Sequence, residues 1–370
     1  MAKLPFIDHA DTSRTEFTTI GRERVIILSP RNRSPIANVL LIHGLSDYPA
    51  RHLRSARHLA GRGYRTVMVE LAGHGGQADE WARTIPIYEA YARAERSSDM
   101  LRWLGSSAAF SSSERRDLIA RQFRRLESTR ADHHLTQVAT VLRHLPRLTG
   151  DPRGLPLFLV GHSMGALLAH ETMWRMDAGA RADVAGVVLL APALRPQGDP
   201  DRPLMQLAVN SVWALWRAPV SPTRMAFKAL LDLNFRVDST WGNKWLSDLH
   251  EEVELSASDP LMPHFLPTRY ASSIESMMAQ SARRGARVPY EALVVVPRQD
   301  GITSREAAIT FARRANSAGR ARVSLVCLDA VAHDVLRSSS RERALTAIVD
   351  WLDGRVRARS PETAERKLAS

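Results

Sequence analysis

Pro156-Leu157-Phe158-Leu159-Val160-Gly161-His162-Ser163-Met164-Gly165 is the stretch on which the reading of this chain turns. Its apolar half reads as a short buried strand, and a helical pattern from Ala166 to Arg175 follows at once. Between the two stands Ser163, with one glycine two residues before it and another two residues after it. A serine on a sharp strand-to-helix turn needs that spacing, because a side chain at either glycine would collide with neighbouring backbone. So placed, the hydroxyl is presented at the C-terminal end of the strand, where a nucleophile can meet a substrate.

Working outward, short runs rich in Val, Ile and Leu recur at Arg24 to Leu28, Asn38 to His43, Arg65 to Glu70, Val184 to Leu190, Ala292 to Val296 and Val323 to Cys327. Helical spacing lies between them, as in Leu135, Val138, Val141, Leu142 and Leu145, and again in Ala344, Ile348 and Trp351. Buried strands alternating with crossover helices predict an α/β fold with a doubly wound, mostly parallel sheet. Two segments interrupt the alternation. Residues 81–132 are an expected, largely helical insertion, with the serine-rich Ser106 to Ser113 followed by the basic amphipathic Glu114 to Leu126. Residues 195–289 separate two sheet strands, are patterned as helix, and hold Trp213, Trp216, Trp241 and Trp245. The expected organisation is therefore a core of residues 1–194 and 290–370, with 195–289 as a helical cap over the C-terminal edge of the sheet. The polar tail from Gly354 to Ser370 is expected to fray.

A serine hydroxyl attacks only when a base takes its proton, and that base needs an orienting carboxylate. On a sheet of this kind the chain order is serine, acid, histidine. Asp300 follows the strand at Ala292 to Val296 and precedes Gly301 in a turn, and His333 lies just beyond the last strand. Asp329 and Asp334 are the alternative acids, both close to His333 in sequence. Two backbone N–H groups must also face the developing oxyanion. Met164, opening a helix, is the expected source of one, and Leu45, in the loop His43-Gly44-Leu45 after an earlier strand, of the other.

Taken together, His43-Gly44-Leu45, Gly73-His74-Gly75-Gly76, Gly161-His162-Ser163-Met164-Gly165, Asp300 and His333 resemble the α/β-hydrolase fold. Within it they are most similar to the monoacylglycerol lipase, lysophospholipase and serine aminopeptidase-like group. The likeness runs over Asn38 to Gly76, Leu135 to Ala193 and Glu291 to Leu352. It implies hydrolysis of carboxylic esters by a Ser163-His333-Asp300 triad, with a helical cap inserted after the sixth strand. Within that cap Met205, Val209, Val212, Trp213 and Trp216 form an apolar stripe, followed by Met225, Phe227, Leu230, Leu231 and Leu233. The stripe carries no fixed charge, so a small-molecule acyl ester is the expected partner, with His162, Trp213 and Trp216 as its expected contacts. Two other readings use the same residues. Gly161 to Glu171 also resembles type II thioesterases, and an acyltransferase would share the triad. A non-catalytic binder on a hydrolase scaffold would need no ordered triad.

Composition narrows the field. The chain has 370 residues, 44% of them hydrophobic and 24% charged, enough to bury a large core. Its formal charge of +12 comes from 47 Arg and 4 Lys against 39 acids, dispersed along the whole chain. A nucleic-acid partner would call for a concentrated basic stripe with aromatics, so none is expected, whereas peripheral contact with an anionic membrane surface is compatible with this charge. Cys327 is the single cysteine, no apolar run approaches the roughly 18 residues of a membrane span, and the first residues lack a signal-peptide core, so a cytoplasmic protein is expected. No phosphate-binding glycine loop, dinucleotide fingerprint or His-Glu-x-x-His is present, and the adjacent His133 and His134 would diverge by about 100° on a helix. No metal or cofactor is expected.

Overall fold

A computed structural model describes the chain apart from residues 1–5, 10–12, 22, 77–80, 107–108, 150–153, 198–202, 218–220, 285–287, 320–321 and 360–370. Its strands are β1 (Phe6–His9), β2 (Ser13–Ile20), β3 (Glu23–Pro30), β4 (Ala37–Ile42), β5 (Tyr64–Val69), β6 (Leu157–His162), β7 (Val184–Leu190), β8 (Arg236–Asp238), β9 (Phe265–Pro267), β10 (Ala292–Gln299) and β11 (Val323–Val331). Nine of them form one sheet in the order β1-β2-β3-β5-β4-β6-β7-β10-β11, while β8 and β9 pair apart. From β5 across to β11 the neighbours run parallel, and β1, β2 and β3 extend the sheet antiparallel. The order reverses between β4 and β6, because the chain leaves β4 for β5 on one side and later returns to place β6 on the other. Such a reversal opens a crevice at the C-terminal strand ends, which is where open α/β sheets bind ligands.

Helices clothe both faces: α1 (Leu53–Gly61), α2 (Trp81–Arg93), α3 (Ser97–Leu104), α4 (Ser112–Ser128), α5 (Ala131–Thr149), α6 (Met164–Arg175), α7 (Ala178–Ala182), α8 (Pro203–Arg217), α9 (Pro222–Leu231), α10 (Asn243–Leu246), α11 (His250–Ser258), α12 (Thr268–Arg284), α13 (Arg305–Ser317) and α14 (Arg341–Ala358). On one face Val138 and Val141 of α5, Leu167 of α6 and Ile309 of α13 meet Leu40, Leu159 and Val294 of the sheet. On the other, Leu345, Ile348 and Leu352 of α14 and Leu59 of α1 meet Val39, Phe158 and Val188. Burial on both faces explains why β7 is apolar throughout and β4 is apolar but for Asn38, every residue of each being buried. The tail differs from expectation, for α14 carries its helix past Gly354 to Ala358, and residues 360–370 fall outside the described set.

The insertion is helical where it is described. Its longest helix, α4, starts at a capping box in which Ser111 accepts from the Glu114 N–H and the Glu114 carboxylate accepts in return, a device worth about 1 kcal/mol. Ile87, Tyr88, Tyr91, Met100, Leu104 and Leu118 then build a third apolar cluster with Leu53 of α1 and with Leu255, Leu261 and Met262 of the segment around α11. Asp259 locks the two insertions together, its Oδ2 accepting from the hydroxyls of Tyr48 (2.8 Å) and Tyr91 (2.6 Å).

Candidate active site

Ser163 lies between the end of β6 and the start of α6 with φ 54° and ψ −116°, a backbone conformation that L-residues rarely adopt. Its flanking glycines each have an identifiable steric reason. A Cβ at Gly165 would lie 2.0 Å from the Ile42 carbonyl oxygen, and one at Gly161 would lie 2.4 Å from that of Gly165. The turn is held from both sides, since the Ser163 N–H donates to Leu190 O (2.9 Å) and its carbonyl accepts from the Ala193 N–H (3.1 Å).

Close approach of α6 to the end of β4 brings the loop His43-Gly44-Leu45 beside the elbow, where a Cβ at Gly44 would stand 3.2 Å from Ser163 Cβ. Burial pushes the His43 imidazole down to about 4 and so keeps it neutral. Its Nδ1–H donates to Gly44 O (2.8 Å) while Nε2 accepts from the Leu71 N–H (3.1 Å), which fixes the loop's course. Met164 is the first residue of α6, where an N–H has no intrahelical acceptor, and Leu45 follows the loop glycine. The two expected oxyanion donors therefore lie on adjoining loops at the switch point.

Asp300 follows β10 and His333 follows β11, and the fold brings them together: His333 Nδ1–H donates to Asp300 Oδ2 at 2.8 Å, with side-chain exposures of 3% and 1%. The carboxylate is further bonded by the N–H groups of Ile302 (2.7 Å) and Thr303 (2.9 Å) and by the Thr303 hydroxyl (2.9 Å). Burial by itself would raise the carboxyl, but the charge and hydrogen bond of His333 and these N–H groups hold it below the ordinary 3.8. Burial would likewise lower His333, and the Asp300 charge and hydrogen bond reverse this and raise it above 6.5. Neither alternative acid competes for the ring. Asp329 is exposed and paired with Arg298, and Asp334 accepts from Arg337.

The three expected substrate contacts, His162, Trp213 and Trp216, are all buried. His162, 4% exposed, turns its Nε2 to the His333 carbonyl oxygen (3.3 Å). Trp213 and Trp216 are buried in the apolar cluster that also contains Met164, and Trp216 spends its indole N–H on Glu275 of α12 (2.8 Å). It is Tyr270 of α12, which the sequence did not single out, that reaches the elbow, with its hydroxyl 3.5 Å from Met164 Sδ. The same hydroxyl meets His134 Nε2 at 2.8 Å. The side chains of Met205 and Trp241 lie outside the described set.

Beneath His333 lies a buried charged network. Burial would raise Asp47, yet Arg337 and His52 hold it well below the ordinary carboxylate range, and Asp334 is lowered in the same way. Among the described residues Asp47, His162 and Asp334 bring potential metal-ligand atoms within 4.8 Å of one another. The Arg337 guanidinium already sits on both carboxylates, 3.3 Å from Asp47 and 2.6 Å from Asp334, and supplies the positive charge there. Among the described residues no helix is long and apolar enough to cross a membrane.

The family model described as serine aminopeptidase, S33, matches residues 120–339, well over half of the chain, and this span contains Ser163, Asp300 and His333. Among solved structures, a soluble variant of monoglyceride lipase from Saccharomyces cerevisiae bound to a substrate analogue is similar at TM-score 0.64 and 15% identity, over 96% of this chain and 99% of that one. A monoacylglycerol lipase of Paleococcus ferrophilus is similar at TM-score 0.57 and 18% identity, over 87% and 96%. A thermostable carboxyl esterase from Bacillus coagulans bound to glycerol gives TM-score 0.57 and 14% identity, over 93% and 99%. No curated protein matches the sequence. At such identities the structures speak for the shared α/β-hydrolase fold, and the family match adds lineage: the chain belongs to the serine aminopeptidase, S33, family of hydrolases.

Proposed function

We propose that the protein hydrolyses carboxylic esters with lipid-like acyl chains through an acyl-enzyme on Ser163. The observation that carries this reading is the buried His333–Asp300 hydrogen bond delivered to the loops beside a strained, glycine-flanked serine. In this mechanism His333 Nε2 takes the Ser163 proton as Oγ bonds to the ester carbonyl carbon, and the oxyanion is held by the N–H groups of Met164 and Leu45. Collapse breaks the C–O bond to the alcohol, which leaves with the proton from His333. Water, deprotonated by the same imidazole, then attacks the acyl-enzyme, and its collapse frees the acid and returns the proton to Ser163. Asp300 holds Nδ1 protonated throughout. A fluorophosphonate probe should label the wild-type protein at Ser163, and p-nitrophenyl esters should be turned over. Preferred turnover of acyl thioesters or of aminoacyl anilides in the same panel would move the reading to a thioesterase or an aminopeptidase. Absence of both labelling and turnover would leave a binder.

Residues 195–289 act in this proposal as a cap whose inner face is the acyl wall. Each methylene moved from water into such a wall contributes about 0.8 kcal/mol, so kcat/KM should rise a few-fold per added carbon until the wall is full. Trp213→Ala or Trp216→Ala should shift the preferred chain length while leaving turnover of a short ester intact. A wild-type chain-length profile in folded variants would make both tryptophans cap interior only.

The outer side of the same segment supports contact with a lipid surface. Leu207, Met225, Leu230, Leu233 and Phe235 are between 50% and 68% exposed, and Arg217, Lys228 and Arg236 are exposed among them. Co-sedimentation with phosphatidylglycerol vesicles, weakened by Leu233→Ser with Phe235→Ser, is the expected result. Equal recovery in the supernatant with and without vesicles would remove this part of the proposal.

A further inference from the structure

Four consecutive residues of the inserted segment, Trp245 to Asp248, are laced along the loop that begins at His333. The His333 N–H donates to Trp245 O (2.6 Å) and the Asp334 N–H to Leu246 O (2.8 Å). The Ser247 hydroxyl donates to Arg337 O (2.5 Å), and Ser339 gives its N–H and hydroxyl to the two Asp248 carboxylate oxygens at 2.9 and 2.5 Å. Trp245 also touches the acid's loop. Its indole lies so close over Gly301, the neighbour of Asp300, that a Cβ there would stand 2.3 Å from the ring. This indole is 8% exposed. One residue of the insertion thus supports both loops of the base-acid pair, carrying the main chain of His333 with its carbonyl and bearing on the Asp300-Gly301 turn with its ring.

We propose that Trp245 to Asp248 form a positioning clasp that sets His333 against Asp300 and Ser163, so that the chemical step depends on how the inserted segment is seated. The proposal rests on the serine-hydrolase reading above. Trp245 is a positioning residue here. His333 has one side-chain anchor, Asp300, and rotation of its backbone would swing Nε2 away from the serine. A clasp that pins the backbone N–H removes that freedom, and misplacement of a catalytic group by about 1 Å costs on the order of 10²-fold in rate.

The test uses the full-length protein and a short ester, whose acyl group is too small to report on an acyl wall. Trp245→Ala should lower kcat by about 10²-fold with KM within about twofold of wild type. Its acid limb should move to lower pH, because a loosened Asp300 contact no longer raises His333. Fluorophosphonate labelling of Ser163 should slow in parallel. Trp245→Phe, which keeps a ring over Gly301, should recover most of the rate. Gly301→Ala should be harmful alone and nearly silent in the Trp245→Ala background, where the added methyl has room. If Trp245→Ala fails to fold, Asp248→Ala decides: the residue is exposed, so the variant should melt like wild type and still lose about tenfold in kcat. Wild-type kcat and pH profile in folded Trp245→Ala or Asp248→Ala would overturn the clasp, as would a loss that appears in KM alone. A wild-type protein that neither labels nor turns over esters would instead overturn the hydrolase reading.

Discussion

Ser163→Ala should cost about 10⁴ to 10⁶ in kcat and leave the melting temperature where it was. The two halves of that expectation have separate physical origins. The hydroxyl supplies the only bond the substrate would make to this residue, so its loss removes acyl-enzyme formation and leaves what binding and the oxyanion donors provide. Stability is another matter, because Ser163 is held through its backbone, by Leu190 O on one side and the Ala193 N–H on the other, and alanine keeps both bonds. Alanine also carries a Cβ at the same φ of 54°, so it neither adds nor relieves strain. Glycine would relieve it. Ser163→Gly should be as inactive as the alanine variant and more stable by about 1 kcal/mol or more, the usual scale of such backbone strain. Measured esterase rates, fluorophosphonate labelling and thermal melts on the two variants separate chemistry from strain. Near wild-type turnover in either would sink Ser163 as nucleophile.

Why the elbow could be read from the chain while the clasp could not is a matter of range. Gly161 is demanded by backbone a few residues on and Gly165 by the end of the adjacent strand β4, yet both glycines stand in one five-residue window with the serine, and that spacing makes the turn legible. β7 could be read end to end, because burial on both faces makes Val184–Leu190 apolar throughout. β11 was read only to Cys327 and runs on to Val331, since an edge strand has an exposed face and Asp329 sits on it. The antiparallel strand β2 escaped notice for a similar reason. Ser13–Ile20 alternates, with Ser13, Thr15 and Phe17 buried, and its serine and threonine content hides the alternation. Asp300 and His333 follow closely on the ends of their strands, so strand order made them the candidates. Their setting did not show. Trp245 meets His333 from 88 residues away through a main-chain carbonyl, a contact that no residue type in either segment announces.

Asp300→Asn should cost about 10⁴ in kcat, and the reason lies in which atom would then face the imidazole. In the wild type, Asp300 Oδ1 accepts from the N–H groups of Ile302 and Thr303, and Oδ2 accepts from the Thr303 hydroxyl and His333 Nδ1. Asparagine can keep the first pair only by leaving its Oδ1 where it is, which puts its NH₂ opposite His333. That group donates, so Nδ1 becomes the acceptor, the ring proton moves to Nε2, and the nitrogen facing Ser163 has no lone pair to take a proton. The pH dependence should change in step. Asp300 is what lifts His333 above 6.5 against the pull of burial, and the base works only when neutral, so wild-type kcat/KM should rise with pH through an inflection above 6.5. In the asparagine variant burial acts unopposed by that charge, and the residual activity should inflect at lower pH. Stability carries the opposite signature. A histidine raised in the folded state stabilises below its unfolded value and loses that contribution as pH rises through the folded one. The ion pair is therefore present below the unfolded value and is lost as pH rises through the raised folded one. Asp300→Asn should lower the melting temperature more at pH 5.5 than at pH 9. Equal destabilisation at both, together with an unmoved acid limb, would assign the lift on His333 to another of the acids around it and take the orienting role from Asp300.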